Sequence, residues 1–265
     1  MADRDRNDDN HKSRTAESFG ENSFSYAESP AHRMGDDLET LRDWVSESEP
    51  DRVLDVATGA GHTAGAVGEA VGEETLVCAT DISPEMVRTA VSRYDVEGVV
   101  ADAEELPFVS SSFDAVTCRI AAHHFPNPRA FLEEVRRVLS PDGVFAFEDN
   151  VAPDDDELDA FLNEVERTRD PTHVRSYTVG EWERWLDEAG FEVHEASVVK
   201  KNLDYETWIE SLDTPEENRE RVETLLREPP IGNPEQAREL FEISCEDGEV
   251  ESFSNLKLLV LAGIP

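Results

Sequence analysis

Between residues 52 and 149, short apolar runs alternate with segments of helical period. The runs 52–57 (RVLDVA), 75–81 (TLVCATD), 98–102 (GVVAD), 113–120 (FDAVTCRI) and 143–149 (GVFAFED) are brief and apolar on both faces. That is the pattern of strands buried in a parallel sheet. Between them, 62–71, 83–94 and 127–139 read as helices, the second capped by Ser83 with Pro84 in its first turn, the third capped by Asn127. Upstream, 29–48 predicts a helix with Leu38, Leu41, Trp44 and Val45 on one face. Beyond residue 150 the alternation loosens. Helices are expected at 156–170 and 178–190, the latter closed by Gly190, then a strand at 191–203, some forty acidic helical residues, and a last strand at 254–264. Together these predict an α/β fold, a doubly wound, Rossmann-like sheet of seven mostly parallel strands with added helices forming a lid. Residues 1–18 are expected to be a disordered polar tail and 19–50 a helical cap. The core is expected at 51–204 with 247–265, and 205–246 as a helical insertion or lid.

Composition changes this picture in one respect. Asp and Glu number 61 against 24 Lys and Arg, a formal net charge of −37, and lysine occurs only at Lys12, Lys200, Lys201 and Lys257. Such a chain repels polyanions, so nucleic acid is not an expected partner. The acid is spread among periodic apolar segments, which argues for a folded protein whose surface suits concentrated salt, where self-repulsion is screened over about 3 Å at 1 M. The low lysine content resembles proteins of salt-loving archaea. Cys78, Cys118 and Cys245 are odd in number and far apart, so no disulfide is expected. The start of the chain lacks the pattern of a secretory signal, and no apolar run approaches a membrane span. A cytoplasmic protein is the expectation; the oligomeric state is left open.

The candidate chemistry starts at 53–67, VLDVATGAGHTAGAV, where a strand runs into a glycine-rich turn and a helix. In a doubly wound sheet such a turn lies at the ligand-binding end of the strands, and its glycines let a ligand approach the backbone. Gly59-x-Gly61-x-x-Ala64 fits the dinucleotide fingerprint, and Asp81, at the end of the second strand, could accept from ribose hydroxyls. To this point NAD and S-adenosylmethionine fit equally. Three features favour the second. Asp55 would repel a pyrophosphate but suits an ammonium and a sulfonium. Asp102, just past the third strand, could accept from an adenine amino group. No second glycine turn marks another nucleotide half.

The segments VLDVATGAGH, TDISPEM, ADAEELPF, SFDAVTCRIAAHHF and EEVRRVLSPDGVFAFEDN, in this order, resemble the motifs of class I S-adenosylmethionine-dependent methyltransferases, in particular the ubiquinone/menaquinone-biosynthesis C-methyltransferases. The resemblance covers 53–150 well and extends weakly through RDPTHVRSYT and EWERWLDEAGFEV. It implies S-adenosylmethionine as cofactor, with Asp55, Thr58, Gly59, Ala60 and Gly61 around its methionine part. It places Asp81 at the ribose, Ile82 and Met86 on the adenine faces, Asp102 and Ala103 at the adenine edge, and Arg119 near the sulfonium. His62 directly after Gly61 and the helical insertion depart from the family pattern. His123 and His124, after the fourth strand, face the place of the substrate and are the candidate catalytic bases; each also reads as a loop histidine bonded to backbone. Arg175 and Tyr177 are candidate substrate contacts or members of ordinary ion pairs, and Tyr26 could cap the site. Adjacent histidines point apart and no third ligand has telling spacing, so no metal is expected. The expected reaction moves a methyl group to a small-molecule acceptor, aromatic or quinone-like. An NAD-dependent oxidoreductase and a non-catalytic S-adenosylmethionine-binding domain are the alternatives.

Overall fold

The computed structural model describes residues 2–22 and 35–265, with the side chains of 2–7 left aside. Tyr26 lies outside the described residues, as does the start of the helix expected at 29–48. The elements begin with α1 (Ala2–Glu21), α2 (Asp36–Glu47), β1 (Arg52–Val56), α3 (His62–Ala70), β2 (Leu76–Asp81), α4 (Pro84–Arg93), β3 (Glu97–Val100) and β4 (Phe113–Arg119). A 3-10 turn (Ala122–His124), α5 (Pro128–Val138), β5 (Leu139–Ala152), α6 (Asp156–Arg169), β6 (Tyr177–Thr178), α7 (Val179–Ala189) and β7 (Glu192–Asp204) follow. The chain ends with α8 (Tyr205–Glu210), α9 (Glu216–Arg227), α10 (Pro234–Leu240), β8 (Ser244–Glu246) and β9 (Glu249–Gly263).

The main sheet runs β3-β2-β1-β4-β5-β9-β7, parallel as far as β5 and antiparallel on both sides of β9. These seven strands bear out the doubly wound expectation; β6 beside β5 and β8 beside β9 add two short ones. Local chemistry places the connecting helices. Ser83 Oγ accepts from the Met86 N–H, Asn127 caps α5, Thr178 and Glu181 form a capping box on α7, and Gly190 ends α7 in the left-handed region. One face of the sheet packs Phe131, Phe145, Phe147 and Trp182 into the main core, while α2 and α3 cover the other. Residues 205–246 pack on α6 and the far ends of β7 and β9 around Phe161, Trp208, Phe241 and Phe253.

The N-terminal segment is a correction. Residues expected to be a disordered tail form α1, because His11, Thr15 and Phe19 recur every fourth residue and lay one stripe over the cleft beside His124. Tertiary contact, rather than the polar composition, decides the conformation there. The strand expected at 143–149 begins earlier, at Leu139, with a register break opposite Phe113 to Ala115. Cys78 and Cys118 are buried thiols and Cys245 is exposed, all three unbridged. Among the described residues no helix is long and apolar enough to cross a membrane.

Candidate active site

The carboxyl ends of β1, β2 and β4 surround a cleft of about 940 Å³, counting the solvent at its open mouth. Its floor is the turn after β1. Ala57, Gly59 and Gly61 all adopt positive φ (53°, 53° and 89°), which folds the chain back under the cleft. A Cβ on Gly59 would meet no atom within 4 Å and would stand in the open cleft. A Cβ on Gly61 would instead strike Ala90 Cα at 2.9 Å, so that glycine serves the packing of α3 on α4.

Asp55 lies beneath the turn and does not line the cleft. It is fully buried, accepting from Thr58 Oγ1 and Thr117 Oγ1, each at 2.6 Å. Burial pushes its carboxyl up to about 6 against the pull of those two hydroxyls. Thr58, Gly59 and Ala60 line the cleft above it, whereas Gly61 does not. Asp81 does line the cleft: one oxygen takes the Gly59 N–H at 2.9 Å and the other the Ser83 N–H at 2.8 Å, and burial pushes it up to about 6. Even with a further backbone bond from Ile82, the carboxylate keeps acceptor capacity for a ligand hydroxyl. Ile82 and Met86 form one wall with Ala103, and Asp102 sits at the rim. The open space at Gly59, the acceptors of Asp81 and Asp102, and the apolar wall between them fit the carboxylate, ribose and adenine of S-adenosylmethionine.

The opposite wall comes from the end of β4. Ile120 holds φ 52°, unfavourable for a β-branched residue, and this strain turns the chain into the 3-10 segment that carries both histidines. Arg119 reaches the cleft, but its guanidinium is engaged by Glu148 and Asp37, both at 2.7 Å, and Lys201 adds a second cation at Asp37. Burial works against the Asp37 charge; Arg119 and Lys201 outweigh it and hold that carboxyl below its usual range. His124 lines the cleft, with Nδ1 2.9 Å from the Thr172 carbonyl. His123 is not among the lining residues. Its Nδ1 lies 2.6 Å from Asp149 Oδ1, and burial holds the ring well below its usual value while pushing Asp149 up to about 7. Asp149 Oδ2 is buried without a hydrogen-bond partner.

Arg175 and Tyr177 do not reach the cleft. Arg175 is paired with Asp159, and Tyr177 meets Trp182 and Trp185 edge-on. Among the described residues none from 205–246 lines the cleft either, and no cluster suited to a metal is present. The roof is α1: Lys12, Thr15 and Phe19 line the cleft, His11 Nε2 lies 3.2 Å from the His124 carbonyl oxygen, and Phe19 stands edge-on to the His124 ring at 5.0 Å. The four-residue spacing of His11, Thr15 and Phe19 was the available sequence signal.

A family model described as a methyltransferase domain matches residues 54–147. The uncharacterized methyltransferase YcgJ of Bacillus subtilis is 34% identical over 253 residues, 93% of this chain and 97% of that protein. The BH2331 crystal structure from Bacillus halodurans superposes with a TM-score of 0.80 at 36% identity, covering 87% of this chain and all of that one. The ubiquinone/menaquinone biosynthesis C-methyltransferase UbiE of Paraburkholderia phymatum is 37% identical over 97 residues, 35% of this chain and 40% of that protein.

Proposed function

This chain belongs to the class I S-adenosylmethionine-dependent methyltransferases, and we propose that it methylates a small aromatic or quinone-like molecule with His124 as general base. The observation that carries the reading is the cleft itself, which sets the Gly59 turn and Asp81 on one side and the His124 ring on the other. S-adenosylmethionine supplies an electrophilic methyl carbon when bound. The chain holds it through the Thr58–Gly61 turn braced by Asp55, through Asp81 at the ribose, and through Ile82, Met86, Asp102 and Ala103 around the adenine. Arg119 keeps the β4 end in place through its two carboxylates. Methyl transfer to a positioned nucleophile asks for alignment and exclusion of water, and α1 over the cleft supports both. His124 takes the proton of the acceptor as the new bond forms and passes it to solvent.

The acceptor side of the cleft, with Phe19, Ile120, Phe125 and Pro126, favours a flat apolar ring over a charged chain. UbiE likeness covers about a third of the chain, so the acceptor class rests on this lining. We read residues 51–204 with 247–265 as the catalytic core and 205–246 as an insertion buttressing α6. The charge of −37 supports the cytoplasm of a salt-loving archaeon as its setting.

The test is calorimetric titration of S-adenosylmethionine, S-adenosylhomocysteine and NAD into the protein in molar potassium chloride, beside Asp81→Ala. It is followed by transfer of labelled methyl to hydroquinones and catechols. Binding of the first two, abolished by Asp81→Ala, and label in an aromatic product are expected. Binding of NAD alone would overturn the reading.

A further inference from the structure

Resting on the reading of His124 as base, we propose that Asp170 is a positioning residue which, together with the Thr172 carbonyl, selects Nε2 of His124 as the nitrogen that takes the proton. A carbonyl oxygen can only accept, so the 2.9 Å contact from Nδ1 to Thr172 O places the ring hydrogen on Nδ1 and leaves the lone pair on Nε2. Nε2 lies 4.0 Å from Asp170 Oδ2. That is too long for a hydrogen bond and short enough for the carboxylate to stabilise the ring once it is charged.

Asp170 cannot swing away from this position. Its Oδ1 accepts the Thr172 N–H at 2.7 Å and the Thr172 Oγ1–H at 2.6 Å, and its own N–H closes α6 on the Glu166 carbonyl at 2.8 Å. Burial works against its charge, but His124 and the Thr172 bonds outweigh that and hold the carboxyl below its usual range. With the Thr172 hydroxyl hydrogen committed to Asp170, the same oxygen, 3.2 Å from Nδ1, serves as a second acceptor for the ring N–H. The other titratable groups at this ring are His123 and His173, with ring centroids at 4.2 and 6.4 Å, both held well below their usual value by burial. His11 approaches from α1, and Asp149 and Arg169 act on the same cluster. His123 and His173 are therefore neutral near pH 7, and Asp170 is the carboxylate that faces Nε2.

The experiment is assignment of the His124 ring tautomer by nitrogen-detected NMR on the full chain saturated with S-adenosylhomocysteine, in wild type and Asp170→Ala, assigned with His124→Gln. The expected result is an Nδ1–H tautomer in the wild type and a smaller share of that tautomer in Asp170→Ala, where Thr172 loses both bonds that hold its oxygens at Nδ1. An Nε2–H tautomer in the wild type overturns the proposal whether or not the variant folds. An unchanged tautomer ratio in folded Asp170→Ala overturns it as well. Neither readout needs turnover, so an unchanged methylation rate in His124→Gln removes the base reading on separate grounds.

Discussion

Lys12 donates to Asp102 Oδ2 at 2.7 Å, tying the N-terminal helix to the carboxylate expected at the adenine edge. The same ammonium lies 2.7 Å from Glu104, and the two carboxylates raise its affinity for the proton despite partial burial. The roof of the cleft is thus fastened to the residue proposed to read the cofactor. The pair is partly exposed, so its own contribution is about 1 kcal/mol or less. Phe19 contributes more, as apolar area closed over the cleft. Phe19→Ala should weaken S-adenosylhomocysteine binding roughly tenfold, the order expected for losing one buried aromatic, while Lys12→Ala should weaken it by no more than about fivefold. Calorimetry at fixed salt checks both; equal affinity in Phe19→Ala would place α1 outside the cofactor site.

Two neighbouring glycines should fail for different reasons. Gly61→Ala forces a Cβ to 2.8 Å from Ala90 Cβ in a backbone of φ +89°, so it should lower stability by about 3 kcal/mol or more. Gly59→Ala meets no atom and carries the left-handed penalty of about 1–2 kcal/mol alone. Its methyl group stands in the cleft, so the folded variant should lose most cofactor affinity. Thermal melting with and without S-adenosylhomocysteine separates the two: Gly61→Ala melts earliest but still shifts with ligand, whereas Gly59→Ala is lowered by only a few degrees and shifts little.

The sheet was legible because buried parallel strands are written as short apolar runs, and β1, β2 and β4 need no distant information to be recognised. Asp81, Ile82 and Asp102 were legible for a related reason, since each falls at or just past the end of such a strand, where this fold opens. Asp55 was expected at the methionine part of the cofactor, but it lies beneath the turn, a position that depends on Thr117, sixty-two residues away, whose hydroxyl claims one of its oxygens. The helix α1 was hidden because its composition is that of a solvated tail, and its order comes from contacts with His124, Asp102 and Glu104. Arg175 read equally as a substrate contact or a member of an ion pair; the structure gives the second, with Asp159 on α6, a partner that no local pattern announces.

Apo stability should rise as the solution is made mildly acidic. Asp55 and Asp81 are pushed up to about 6 and Asp149 to about 7, all chiefly by burial. A carboxyl whose folded value lies above its unfolded value of about 3.9 binds its proton more tightly in the native state, so its contribution is complete below that value and is lost as pH rises through about 6 to 7. Each ionised group then costs on the order of 3 kcal/mol relative to its protonated form. His123 and His173, held low by burial, work the other way, but Glu104, Glu148 and Glu166 are raised as these three carboxyls are, so the melting temperature at constant potassium chloride should be higher at pH 5 than at pH 7.5. In Asp149→Asn, which keeps an oxygen for His123 and Asn150, the slope between them should flatten. A melting temperature that climbs from pH 5 to 7.5 would contradict this.

His123 and His124 are adjacent in sequence and should separate in experiment. His124 lines the cleft and bonds backbone through Nδ1, which leaves the ring's lone pair on Nε2. His123 turns Nδ1 to Asp149 and is buried away from the cleft lining. His124→Gln should lower kcat by about 10²–10⁴-fold, the usual worth of a positioned base, with the S-adenosylhomocysteine affinity within about threefold of wild type. His123→Gln should leave kcat within about tenfold and instead lower stability by about 1–3 kcal/mol, the cost of a disturbed buried hydrogen bond to a carboxylate. Single-turnover transfer of labelled methyl, measured beside thermal melts, reads both axes. If the rate falls in His123→Gln and holds in His124→Gln, the base is His123, and Asp149 takes the place assigned to the Thr172 carbonyl and Asp170.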